Sequence, residues 1–492
     1  VNWPLKIITS PYTRWRNALL RRPNKQLSRH TVLLLHDVIP FAWPLFIELT
    51  CVVLMSMAST ILVSQLGKSE TAAVGISDSI TYIIISLLTA IALGGTVIVA
   101  QSLGRKNKEK GEIAALQAMN LNLYCGLIFL VGIYIGGQPL LEAIAFGAER
   151  NVKDIAEGYL HMIAYGYPAM GIALAGSGIL RATGNTRLPM YINVGMNIFN
   201  ICLSYPLIYG IPHLFTGFGV LGAGIGVTIT RWIGALIIMF YLTSYTKISV
   251  PIKNYLRHFK VDTLRDILSI GIPASVESLM FNIGKLITQM MVAGMGTVSM
   301  AANVITFSLA LLVNLPGNAL SEAATIMVGQ RLGEGRPRMA TQQLHLIFWL
   351  ANILLCLLGL LSVPFARTLA ECYSNDHDVI ELTIKLICLN ALFMPAWTSS
   401  FVLPSGFKGA KDAQYTMWTA IISMWGFRIF VGYFLGMIMG WGVIGVWCGM
   451  FTDWIFRAIC YYRRLLNGRW LKRFIKQQKQ YDAQQQTEQA SK

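Results

Sequence analysis

The chain has 492 residues, of which 54% are hydrophobic and only 13% charged, with a mean hydropathy of +0.55. Soluble domains carry about 25% charged residues, so this composition excludes a water-soluble globule, a disordered chain, a coiled coil and a secreted disulfide scaffold. Forty Lys and Arg against 23 Asp and Glu give a net charge of +17, but the cations sit in short runs between long apolar stretches, which orients a membrane protein rather than building a nucleic-acid face.

In chain order, residues 1–37 form a polar, basic, Trp-bearing cytoplasmic segment without the apolar stretch of a cleavable signal peptide. Twelve apolar runs follow, at 38–62, 72–101, 116–140, 157–180, 187–210, 219–244, 267–294, 299–330, 343–366, 380–406, 414–439 and 442–464. A run of about 20 apolar residues crosses a bilayer, and the longer ones predict tilt or bending. The N-terminus, the loops after even-numbered spans and the C-terminal stretch together hold 31 Lys and Arg, against four in the opposite loops. That split predicts a multi-pass inner-membrane protein with both termini cytoplasmic. Residues 466–492 read as a basic and then disordered cytoplasmic tail.

An internal repeat organises the spans. At an offset of 229, Thr96-Val-Ile-Val-Ala-Gln-Ser-Leu-Gly104 falls on Thr325-Ile-Met-Val-Gly-Gln-Arg-Leu-Gly333. The same shift pairs Asp37 with Asp266, Pro44 with Pro273, Glu48 with Glu277 and Gly67 with Gly296. At a slightly smaller offset Arg181-Ala-Thr-Gly-Asn185 meets Lys408-Gly-Ala-Lys-Asp412. The fold class is therefore all-α and polytopic: 12 transmembrane helices in two parallel six-helix repeats, 38–245 and 267–465, around a central cavity and joined by a cytoplasmic connector at 246–266.

Glu48 and Glu277 each lie four residues after a proline inside an apolar span. Proline weakens the helix at that point, and a carboxylate at membrane depth costs about 2.5–3.5 kcal/mol, so it faces a cavity or a partner. Both are read as cation-coupling acids, with an interhelical hydrogen bond as the structural alternative. Lys285, eight residues after Glu277, either neutralises a carboxylate in an ion pair or holds a substrate anion. Asp78, Glu322 and Arg428 are further candidates for the substrate cavity, and Asp453 is divided between lining and packing. Two apparent nucleotide motifs fail on context. Gly217-Phe-Gly-Val-Leu-Gly222 enters a membrane helix without a preceding soluble strand, and Gly67-Lys68-Ser69 has Leu62 where a P-loop requires glycine. The eight cysteines include no CxxC pair and the seven histidines no HExxH, so no metal, cofactor or enzymatic constellation is indicated.

Several of these stretches carry a resemblance. The QSLGRKN and QRLGEGR endings, Arg181-Ala-Thr-Gly-Asn-Thr186, Asn200-Ile-Cys-Leu-Ser-Tyr-Pro-Leu-Ile-Tyr-Gly210 and Gly219-Val-Leu-Gly-Ala-Gly224, within two sets of six spans, resemble bacterial multidrug and toxic compound extrusion (MATE) transporters over roughly 38–464. The resemblance implies export of drug-like organic solutes against inward H⁺ or Na⁺. It also implies that Glu277 matches a helix 7 glutamate common in bacterial members. Two family aspartates are replaced, by Ser59 and Ser204, while the neighbouring Asn200 matches and is carried as a cavity candidate. The expected activity is a cation-coupled antiporter, with H⁺ the first choice, exporting small molecules from a monomer by alternating access. The loss of two acids and the presence of Lys285 leave anionic aromatic metabolites, such as flavin nucleotides, as an alternative cargo. A lipid-linked precursor flippase and a membrane-embedded enzyme are the remaining alternatives; no nucleic acid is implicated.

Overall fold

A computed structural model describes residues 25–144, 149–211, 215–244, 260–472 and 474–475. Most of the predicted basic N-terminal segment, residues 246–259 of the connector and residues 476–492 of the tail lie outside the described residues. The helices in order are α1 Lys25–Ser64, α2 Lys68–Gly104, α3 Lys108–Ile144, α4 Arg150–Ala164, α5 Tyr167–Ala182, α6 Arg187–Tyr209, α7 Val220–Ser244 and α8 Val261–Ala293. They continue as α9 Thr297–Gly333, α10 Pro337–Ser362, α11 Ala366–Glu371, α12 His377–Leu392, α13 Met394–Gly409, α14 Ala413–Ser423, α15 Phe430–Tyr433 and α16 Gly442–Leu466. A two-residue antiparallel pairing, β1 Gly210–Ile211 with β2 Phe215–Thr216, closes the loop after α6.

Nine helices among the described residues are long and apolar enough to cross a membrane, and two bent pairs raise the number to eleven. α6 occupies the position of the predicted fifth span; its 23 residues at about 1.5 Å each suffice to cross. The bent pairs are α4 with α5, at 49°, and α12 with α13, at 55°. Each break is followed by a proline in the first turn of the next helix, Pro168 and Pro395, where a missing N–H costs nothing. α1 and α8 instead run uninterrupted through Pro44 and Pro273. α1 also begins at Lys25, well before the predicted 38, because a helix continues into polar sequence that hydropathy does not mark.

The described residues form two compact units, Pro44–Leu279 and Val1–Trp43 with Met280–Lys492. In the first, Leu88, Leu160, Ile163 and Tyr167 are fully buried in a cluster drawn from all of α1 to α7. In the second, Trp447, Phe451, Met394 and Trp397 occupy the corresponding place. The repeat is written into the backbone. Left-handed residues recur in pairs, Lys106 (φ 59°) with Gly335 (φ 71°), Gly184 (φ 90°) with Lys411 (φ 63°), and Gly219 (φ 58°) with Gly442 (φ 60°). Close helix approach recurs too. A Cβ at Gly222 would lie 2.2 Å from the Leu207 carbonyl oxygen, and one at Gly445 would lie 2.6 Å from Gly436 N.

With no water at membrane depth, polar side chains must find protein partners. Many Ser and Thr hydroxyls bond the carbonyl four residues back, as Thr96 does to Ala92 and Thr306 to Ala302. Others tie helices together: Thr81 Oγ1 to Tyr167 Oη at 3.0 Å, Ser400 Oγ to the Trp454 carbonyl at 2.7 Å, and Trp447 Nε1 to Asn303 Oδ1 at 2.9 Å.

Candidate functional site

The candidate residues divide between the units. Glu48, Glu277, Asp78 and Asn200 fall in Pro44–Leu279, whereas Lys285, Glu322 and Arg428 fall in the other. Glu277 therefore shares a unit with Glu48, although it belongs to the second sequence repeat, because the first part of α8 packs there up to Leu279.

Glu48 on α1 is buried. Its Oε1 accepts from Arg181 Nη2 and from Asn193 Nδ2, both at 2.5 Å. Arg181 comes from the last turn of α5 and Asn193 from α6, so one carboxylate oxygen ties three helices. Its Oε2 is buried and makes no hydrogen bond among the described residues. Glu277 is half-buried on α8, four residues after Pro273. Asp78, near the start of α2, is exposed and interacts electrostatically with Arg231 of α7. Arg231 also reaches the Ile163 carbonyl at 3.3 Å and lies 5.9 Å from the Tyr167 ring centre. Asn200 Oδ1 accepts from Ser204 Oγ at 3.2 Å, and Ser204 packs against Gly226 of α7. Ser204 is thus a small hydroxyl bonded within its own helix.

In the other unit the dominant cluster is Asp453 with Arg457 and Arg428, all buried. Arg457 Nε donates to Asp453 Oδ1 at 2.7 Å and lies 2.6 Å from Ser423 Oγ. Arg428 Nε stands 3.8 Å from Asp453 Oδ2 and makes no hydrogen bond there, and its guanidinium lies 5.5 Å from the Phe281 ring centre. Arg428 sits in a π-helical turn, Met424–Ile429, with a second at Phe434–Ile438. Such wide turns change the helix register and concentrate at functional positions. Glu322 is half-buried on α9.

Lys285 lies in the same unit as Arg428. It is exposed, forms no ion pair among the described residues, and its Nζ stands 5.8 Å from the Phe307 ring centre. It lies eight residues from Glu277 on a helix that changes unit between Leu279 and Met280, so the two positions belong to different packing environments.

Sequence reasoning did not assign roles to Arg181, Asn193 and Arg457. Arg181 and Asn193 meet Glu48 across more than 130 positions of chain, with no spacing signal. Arg457 was legible, since it lies four residues after Asp453 and so on one helix face.

The MatE family model matches residues 44–206 and again 273–434, the second match beginning 229 positions after the first. This chain belongs to the MatE family. Among its relatives, the uncharacterized transporter YisQ of Bacillus subtilis is 27% identical over 432 residues, covering 88% of this chain and 94% of that one. The probable multidrug resistance protein NorM of Thermotoga maritima is 25% identical over 439 residues, 89% of this chain and 94% of its own. A multidrug resistance MATE transporter of the MOP superfamily, solved in an outward-facing conformation, shares the fold with a TM-score of 0.80 at 21% identity, covering 89% of this chain and 96% of that one. A MOP superfamily transporter from Pyrococcus furiosus, described as having a binding pocket of reversed polarity, matches with a TM-score of 0.77 at 21% identity, over 88% and 94%. The MatE assignment makes the chain a polytopic membrane transporter rather than an enzyme, with the 12-helix architecture of two repeated halves.

Proposed function

We propose that this MatE protein exports small organic solutes across the bacterial inner membrane in exchange for a cation, H⁺ or Na⁺, with both termini in the cytoplasm. The observation that carries this reading is Glu277, a half-buried acid in a membrane-spanning helix at the repeat position of Glu48 and within the same packing unit. NorM relatives named as probable multidrug resistance proteins support drug-like cargo. A ligand shifts a conformational equilibrium only by binding its two states with different affinity. A proton or Na⁺ on Glu277 supplies that difference, because it removes or balances a charge that is expensive to hold in the bilayer. Glu48 supports the same unit: its Oε1 is engaged by Arg181 and Asn193, leaving Oε2 as the oxygen to which a cation would add.

A second cargo class is favoured by Lys285, which is exposed without an ion pair among the described residues and stands over Phe307. An ammonium beside an aromatic ring suits an anionic aromatic solute, such as a flavin nucleotide, more than an organic cation. Both readings are tested in proteoliposomes by imposing either a pH gradient or a Na⁺ gradient and following efflux of an organic cation and of an anionic aromatic of similar size. Uphill movement of either solute under one gradient supports coupled export, and no movement under either gradient overturns it. Loss of the anion preference in Lys285→Met supports the second cargo class, and an unchanged preference removes it.

A further inference from the structure

The last turn of α16 carries Arg463 and Arg464, and the chain then turns at Gly468, with φ at 61°, into a short 3-10 turn, Arg469–Leu471. This turn is anchored. Trp470 is fully buried with its ring 5.5 Å from that of Phe407, and Leu471 and Phe474 are buried beside it. Arg464 is also satisfied: Nε and Nη2 donate to the two oxygens of Asp412 at 2.6 and 2.8 Å, and its guanidinium stacks 3.8 Å from the Tyr415 ring centre. Arg463, Arg469 and Lys472 differ from it. All three are exposed and none forms an ion pair among the described residues. Three cations with no ion pair among the described residues thus stand on an anchored turn at the end of a membrane-spanning helix, next to the half-exposed Tyr462, a residue type suited to the headgroup layer.

We infer that Arg463, Arg469 and Lys472 form a docking surface for the headgroup of an anionic phospholipid. A phosphodiester supplies the negative charge that no described residue places on these cations, and the bilayer presents it at this depth. Cations near a charged membrane surface each contribute about 1 kcal/mol, roughly a fivefold preference. The site is independent of the transported solute and of the coupling acid.

The test is native mass spectrometry of the full chain released from detergent, titrated with phosphatidylglycerol and with phosphatidylcholine of identical acyl chains. Wild type retains phosphatidylglycerol at least about tenfold better, and added salt erodes the preference. The triple variant Arg463→Gln/Arg469→Gln/Lys472→Gln falls to near parity, whereas Arg463→Lys/Arg469→Lys/Lys472→Arg keeps the preference. Inorganic phosphate at matched concentration does not displace the lipid. Equal retention of both lipids by wild type, or an unchanged preference in the triple variant, overturns the inference. So does displacement by free phosphate, which would mark a soluble-anion site.

Discussion

In the unit Pro44–Leu279 the paired buried acid is Glu48 on the first helix, held by a cation from the end of α5 and an amide from α6. In the other unit there are two: Asp412, paired with Arg464, and Asp453 on the last helix, flanked by Arg457 one turn along and by Arg428 from the adjacent π-helical segment. The two repeats agree in backbone: the same left-handed positions recur, and the same close approach of neighbouring helices is made at Gly222 and at Gly445. They disagree in charge. Scaffold geometry and charge placement are therefore separable here. Glu48 meets one arginine and an amide and Asp453 meets two arginines, so among these named side chains the first cluster is balanced and the second has one more cation than acid.

That contrast can be broken by substitution, and the largest effect is expected at Asp453. Asp453→Asn takes from the buried Arg428 and Arg457 the carboxylate they share, and removing one partner of a buried pair costs about 3–5 kcal/mol. A sharp fall in thermal unfolding temperature in detergent is expected, partly restored by Arg457→Met in the same chain; a wild-type melting curve for the single variant would show the cluster to be energetically idle. Glu48→Gln should cost less, about 2 kcal/mol, because the side chain of Arg181 remains 16% exposed and keeps some hydration. If it cost as much as Asp453→Asn, the distinction between a balanced and an unbalanced cluster would be lost.

Gly222→Ala and Gly445→Ala probe what the repeats share. A Cβ at either position meets backbone at 2.2 and 2.6 Å, so each should destabilise by about 1–3 kcal/mol through forced separation of helices. Similar losses are expected, and a harmless change at one site would mean the equivalence stops at backbone trace. The smallest effect belongs to Lys106→Gly. Lysine pays for its left-handed backbone, glycine does not, and the gain, offset by the greater freedom of unfolded glycine, should stay below about 1 kcal/mol. A clear loss of stability there would reveal a role for the Lys106 side chain.

The spans were legible because lipid demands long apolar runs, and the repeat was legible because one offset held from Asp37/Asp266 to Gly104/Gly333. The breaks after Ala164 and Leu392 were not, since each lies within a sequence that stays free of charged residues on both sides of it; only Pro168 and Pro395 marked them. The start of α1 was missed for the opposite reason, a helix extending beyond its apolar part. Among the site residues, Asp453 and Arg457 could be joined by helical spacing, but Glu48 and Arg181 meet only through the fold. Lys285 shows the limit of spacing arguments. Eight residues on a helix set it near the face of Glu277, yet the helix passes from one packing unit to the other between them.

The central claim is that Glu277 couples a cation to export. The direct measurement is uphill solute export by Glu277→Gln in vesicles carrying equal amounts of folded protein, beside downhill equilibration of the same solute. The amide keeps the shape and loses the titratable charge, so uphill export should disappear while downhill movement persists. Uphill export at the wild-type rate would contradict the account.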